Sequence, residues 1–254
     1  MFFPKSVYKY LSLAYLLLRN ESFLKLVFDY GSMENSKNIK NGDFVELKFT
    51  GFVDGKVFDS NISEDLKQVN DKAAPEKTIV IVGQKMVVKG FDHFLEGKEL
   101  NKDYEVTLSP KDAFGSRKTE LVRIIPLKVF HQQRLNPRAG MSFVFDNQLA
   151  KVITVSGARV ITDFNNPLSG KDITYKFKIS RKVEDLKEKA ETVCKLVFRY
   201  VPEISVENQE VTIMGPKILE TFIKQTQDKF KEFLGKEVAF KEVEIKKEEP
   251  AQKE

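Results

Sequence analysis

Side chains that usually do covalent or metal chemistry are scarce in this 254-residue chain, which holds one cysteine, Cys194, and two histidines, His93 and His131. No CxxC or HxxxH spacing occurs, so a zinc hydrolase is excluded and neither a metal nor a cofactor is expected. Cys194 falls on the apolar side of a helical pattern and reads as core, not as a nucleophile. A single cysteine also rules out an intramolecular disulfide and fits a reducing, cytoplasmic compartment. One carboxylate stands apart: Asp59 follows Val57-Phe58 on an inward-facing pattern, where an ionised group is costly unless it has a task. The other distinctive stretch is Gln84–Gly97. Its apolar residues Val87, Val88, Phe91, Phe94 and Leu95 share one face of a short helix, stopped by Gly97. A helix this short is marginal alone and must bury that face against a sheet.

The strands to receive it lie on both sides. Phe44–Phe49 alternates in part, Asp54-Gly55 is a hairpin signal between Phe52-Val53 and Val57-Phe58, and Thr78–Val82 and Glu105–Leu108 read as strands. Asn61–Lys77 is polar, carries Pro75, and reads as a loop or a broken edge strand. Short segments at Leu121–Ile125, Val129-Phe130, Gly140–Phe145, Ala150–Val155 and Ala158–Ile161 predict a compact all-β module. Asn165–Gly170 is a turn. Ile173, Tyr175, Phe177 and Ile179 then alternate with Thr174, Lys176 and Lys178 in a half-buried strand that returns to the first sheet.

The remainder divides by composition. Two amphipathic helices are predicted around Leu186–Val197 and from Gly215-Pro216 to Phe233, with strands at Glu210–Ile213 and Glu237–Ile245. Lys246–Glu254 is a charged tail. At the other end, Val7–Leu18 is apolar but interrupted by Lys9, shorter than the roughly 20 residues that span a membrane. Met33-Glu-Asn-Ser leads straight into the folded part, which favours a start at Met33 over a signal or an anchor. A net charge of +5 without an arginine-rich run does not point to nucleic acid. Charged residues make up 31%, against a usual value of about 25%, and the lysine and glutamate content suits a thermophile.

Taken together the motifs resemble one family, the FKBP-type peptidyl-prolyl isomerases, in the subclass with a domain inserted in the flap that includes SlyD and the long archaeal members. Val45–Gly51 with Asp54–Asp59 is similar to the family's first strand and hairpin. Gly83-Gln84 with Val87–Phe91 resembles its pocket-floor motif, and Ser109-Pro110 with Ala113-Phe114-Gly115 its loop beside the pocket. Leu121–Phe130 and Asn165–Gly170 resemble the two borders of the insert. The resemblance implies an α+β fold: a curved antiparallel sheet around a short helix, an inserted all-β module, and a C-terminal α/β extension. The implied division is 39–118 with 164–182 for the isomerase domain, 119–163 for the insert and 183–245 for the C-terminal domain, flanked by 1–38 and 246–254.

The same resemblance implies rotation about X-Pro bonds in unfolded or nascent chains. The site would comprise Phe49, Phe58, Val87, Val88, Phe91, Phe114 and Tyr175, with Phe91 as floor and Asp59 as the acidic wall. Aromatic residues at such spacing are by default core; Asp59 is what argues for more. Family members usually carry tyrosine where Phe49 and Phe114 stand, and Asn166 stands where SlyD-type proteins often have histidine. The insert implies a chaperone surface drawn from Ile124, Ile125, Phe130, Met141, Phe143, Phe145, Val152 and Ile153, about half of which would serve as its own core. An alternative is a chaperone or ribosome-associated binding protein with little isomerase activity. The C-terminal helices would offer a face for a homodimer, and no membrane partner is expected.

Overall fold

The computed structural model describes residues 38–145 and 148–243; the expected N-terminal extension and start at Met33, and the tail from 246, lie outside these residues. The chain is built on β1 (Phe44–Val53), which pairs antiparallel with β9 (Ile173–Lys182) along its whole length. The opposite edge of β1 is shared by β3 (Thr78–Ile81) along its first half and β2 (Lys56–Ser60) along its second. β4 (Asp103–Leu108) adds outside β9. On β9 the inward residues Ile173, Tyr175, Phe177 and Ile179 are buried, as period-two alternation requires.

One face of this sheet wraps α2 (Lys89–Leu95), whose Phe91 and Leu95 are buried in the same core as Leu47, Phe49, Tyr175 and Phe177. The chain leaves the helix through Gly97 at φ 76°, a left-handed position glycine takes without strain. The segment expected as a loop or edge strand at Asn61–Lys77 contains a helix, α1 (Ser63–Val69). It buries no residue, so it has no apolar stripe to announce it. It is held instead by Asp65, which accepts a 2.6 Å hydrogen bond from the Thr50 hydroxyl.

The insert is a four-stranded antiparallel sheet in the order β5 (Val122–Pro126), β8 (Arg159–Asp163), β7 (Gln148–Ser156), β6 (Ser142–Phe145). It is not purely β. Val129-Phe130, expected as strand, lies in α3 (Leu127–Gln132), which follows directly on Pro126 at the end of β5 and drops Phe130 into the core.

The C-terminal part begins with α4 (Leu186–Phe198), capped by the Asp185 side chain accepting from Glu188 N–H at 2.9 Å. β10 (Glu203–Glu207), which the sequence pattern does not single out, pairs with β11 (Glu210–Gly215). After α5 (Ile218–Leu234), β12 (Ala239–Glu242) runs parallel to β11. The core of this part takes in Phe44 and Ile81 from the first sheet. No helix among the described residues is long and apolar enough to cross a membrane.

Candidate functional site

The site forms around a residue with no side chain. Gly51 of β1 lies opposite Asp59 of β2 on one side and Tyr175 of β9 on the other. Phe52 pairs with Val57, so Phe58 is the extra residue of a bulge, a device that re-aims a side chain. A Cβ at Gly51 would meet the Phe58 ring at 2.8 Å and Tyr175 Cε1 at 3.0 Å. Glycine is what lets the two rings converge there.

Five rings then interlock. Phe91 stacks on Tyr175 with centroids 4.6 Å apart and planes 12° from parallel. Phe49 stands edge-on to both at 6.1 Å. Phe58 stands edge-on to Tyr175 at 6.0 Å and to Phe114 at 5.9 Å. Val87 and Val88, half-buried, pack against the same cluster just before α2. The structure thus gathers all seven apolar residues singled out in the sequence, drawn from β1, β2, β9, α2 and the segments beside it. Phe58 and Phe114 remain half-buried, forming the outer part of the group.

Asp59 is exposed as a residue, not an inward wall. Even so, partial burial of its carboxyl pushes its pKa above the usual carboxylate value, against the Ser60 backbone N–H that pulls it down. Burial also raises the Tyr175 phenol, and the nearby Asp59 charge adds to that. An anion disfavours a second anion close by.

Two features hold the helix that carries Phe91. Gly90 N–H donates to Asp112 O at 2.8 Å, docking α2 on the loop that carries Phe114. Asp92, buried at 3% exposure, accepts from Gly83 N–H at 2.9 Å and Lys85 N–H at 2.8 Å. The sequence reading gave Asp92 no role, since an acid in a first helical turn is ordinarily a solvated one. Asn166 is a turn residue: its side chain accepts from Leu168 N–H at 2.9 Å.

On the insert the expected residues separate. Phe130 and Val152 are 0% exposed and form its core, so they present no surface. Ile125, Phe143 and Phe145 pack half-buried against them, and Met141 is exposed. The sheet's outer face carries the exposed apolar surface: Ile124 at 61% and Val144 at 66%, with Leu149 and, at a bulge, Ile153. Among the described residues no group of three or more His, Cys, Asp or Glu is placed to hold a metal ion.

Comparison with known proteins agrees with this architecture. The profile of the FKBP-type peptidyl-prolyl cis-trans isomerases matches residues 35–131, and that of the FKBP26 IF domain matches 123–168. A short-type peptidyl-prolyl cis-trans isomerase of Methanocaldococcus jannaschii is 33% identical over 145 residues, 56% of this chain and 92% of that protein. SlyD of Vibrio cholerae is 31% identical over 97 residues, 37% of this chain and 48% of that protein. SlyD of Helicobacter pylori is 26% identical over 149 residues, 56% of this chain and 73% of that protein.

Proposed function

The chain belongs to the FKBP-type peptidyl-prolyl cis-trans isomerases, and from that premise we propose that the ring cluster around Gly51 is where the X-Pro bond of an unfolded or nascent chain is turned. Rotation has a barrier of about 20 kcal/mol because amide resonance is lost. Uncatalysed exchange therefore takes tens to hundreds of seconds. The twisted amide is less dipolar along C–N than the planar one. A surface of phenylalanine and valine carbons that displaces water from the bond favours the twisted state without any covalent step. Phe91, Phe49 and Tyr175 would back the proline ring, Phe58, Phe114, Val87 and Val88 would flank it, and Asp59 would meet the twisting carbonyl.

The observation that carries this reading is the convergence of rings from separate elements beside one carboxylate whose partial burial raises its pKa. The test is cis–trans exchange of an Ala-Pro peptide followed by NMR, with the parent chain and Asp59→Ala. Acceleration that collapses in the variant supports the site. Equal acceleration by both proteins moves the chemistry elsewhere.

The insert would act as a holdase, with Ile124, Met141, Val144, Leu149 and Ile153 as its contact surface. Holding a client there raises its effective concentration at the ring cluster. A second reading, a chaperone or ribosome-associated binder with a slow pocket, is favoured by one feature: Phe49 and Phe114 bring no hydroxyl to the site. Unchanged client protection by Asp59→Ala, with no acceleration by the parent, would select it. The cytoplasm suits the single buried cysteine, Cys194. The exposed Val201, Ile218 and Phe222 would suit a second copy of the chain, and a concentration-independent monomer in sedimentation would remove that idea.

A further inference from the structure

Around Gly51 five rings converge and a single one, Tyr175, carries a hydroxyl. The position of that ring fixes where its oxygen can go. Tyr175 belongs to β9, yet its Cε1 lies 3.0 Å from the point a Cβ of Gly51 would occupy. The ring therefore lies over Gly51 on β1, where it meets the edge of the Phe58 ring that comes from β2. The residue on β2 directly opposite Gly51 is Asp59. Stacking on Phe91 at 12° from parallel keeps the ring in that orientation, and Phe49 closes its other edge.

We infer that the Tyr175 hydroxyl is the partner that holds the Asp59 carboxylate over the ring cluster, the two meeting across the side-chain-free position Gly51. The Asp59 charge already acts on the Tyr175 phenol without a direct hydrogen bond. Asp59 is an exposed residue of β2, and the pairing has its carboxylate turn from the Ser60 backbone N–H toward the phenol. A tyrosine O–H is a good donor to a carboxylate, and such charge-assisted bonds are about twice as strong as neutral ones. Tyr175 is thus a positioning residue, and Asp59 the group that faces substrate. The arrangement offers this chain a way to orient its one acidic group although Phe49 and Phe114 have no hydroxyl. The inference rests on the isomerase reading of the cluster.

The experiment compares the parent with Tyr175→Phe, which keeps the stacked ring and removes one oxygen. Two readouts are taken: the Asp59 carboxyl titration by carbon NMR, and kcat and KM on an Ala-Pro peptide. Donation to the carboxylate favours its charged form. Loss of the hydroxyl should then raise the Asp59 pKa by roughly one unit and lower kcat several-fold while KM changes little. An Asp59 titration identical in the two proteins overturns the pairing, whatever happens to the rate. A raised titration with kcat unchanged overturns the positioning role. If the parent does not accelerate exchange at all, it is the isomerase reading that falls, and the titration still decides whether the two groups are paired.

Discussion

Gly51 and Asp59 are the residues at which the site is most easily broken, and they break in different ways. Gly51→Ala places a methyl 2.8 Å from the Phe58 ring and 3.0 Å from Tyr175. Tyr175 is buried and stacked and cannot give way, so the half-buried Phe58 has to swing outward and lose its edge-on contacts with Tyr175 and Phe114. Overpacking of this kind costs about 1–3 kcal/mol, read as a lower denaturant midpoint, with isomerase activity falling further because both rings belong to the site. Asp59 should behave in the opposite sense. Folding raises its carboxyl pKa above the ordinary 3.8, so the folded protein binds that proton more tightly than the unfolded chain. The resulting stabilisation is complete below the ordinary value and is lost as pH rises through the raised one. Asp59→Asn should therefore gain stability relative to the parent as pH climbs across that interval, checked by denaturant titrations on either side of it, while activity drops. Asp59 was legible because a carboxylate behind Val57-Phe58 breaks the apolar pattern. Asp92 was not, because its burial depends on a fold-back of Gly83–Lys85 that no local pattern encodes.

Long strands with one buried face announce themselves in this chain, and short elements or those held by polar contacts do not. β9 shows clean alternation, Ile173 to Ile179 inward and lysines outward, and α2 shows a helical face; both are readable because burial imposes a period. α1 buries nothing and rests on Thr50, Ser60 and Asp65, so its composition looks like a loop. α3 is six residues long, too short for a period to develop, and Val129-Phe130 alone favours strand. The turn that enters α2 is the most exposed to change. Lys85 holds φ 55°, an uncommon conformation for a residue with a side chain. Its N–H and that of Gly83 are satisfied by the one Asp92 carboxylate. Asp92→Ala leaves both donors unpartnered, each at a cost of about 1–3 kcal/mol. The expected outcome is a marked loss of stability together with faster hydrogen exchange at Gly83 and Lys85. Because Val87 and Val88 follow this turn, KM for a proline peptide should rise as well. Asp92→Asn, which keeps one acceptor oxygen, should lose less of both.

At the scale of the molecule the three sheets are not equally joined. The first core and the C-terminal core meet in residues of the first sheet: Phe44 and Ile81 are buried among Val193, Ile213, Ile223 and Phe230, and Met86 packs against both cores. The Phe44 ring stands edge-on to Phe233 of α5 at 6.3 Å. A charged group flanks this seam, with Arg181 on Glu46 at 2.8 Å and on Glu188 at 2.9 Å, and Lys77 on both acids. Exposed pairs of this kind add little by themselves, so the apolar contact is what joins the two parts. The insert is attached differently. Its core of Phe130, Val152 and Val160 shares no residue with the other two. Its two connecting segments are tied to each other by Arg117 donating to Asp163 at 2.7 Å and by the Asn165 side chain bonding Lys118 N–H and O at 2.8 and 2.9 Å. Cooperative units follow shared packing. Phe44→Ala removes a ring from the seam, a change worth about 3–5 kcal/mol in a packed core. Hydrogen exchange should then accelerate together at β1, β3, β10 and β11, the strands on both sides of the seam, while β7 and β8 of the insert keep their protection. Acceleration confined to β1 and β3 would mean that the C-terminal part stands alone despite the shared core. Acceleration in the insert as well would mean that the polar tie between its connecting segments transmits what the cores do not.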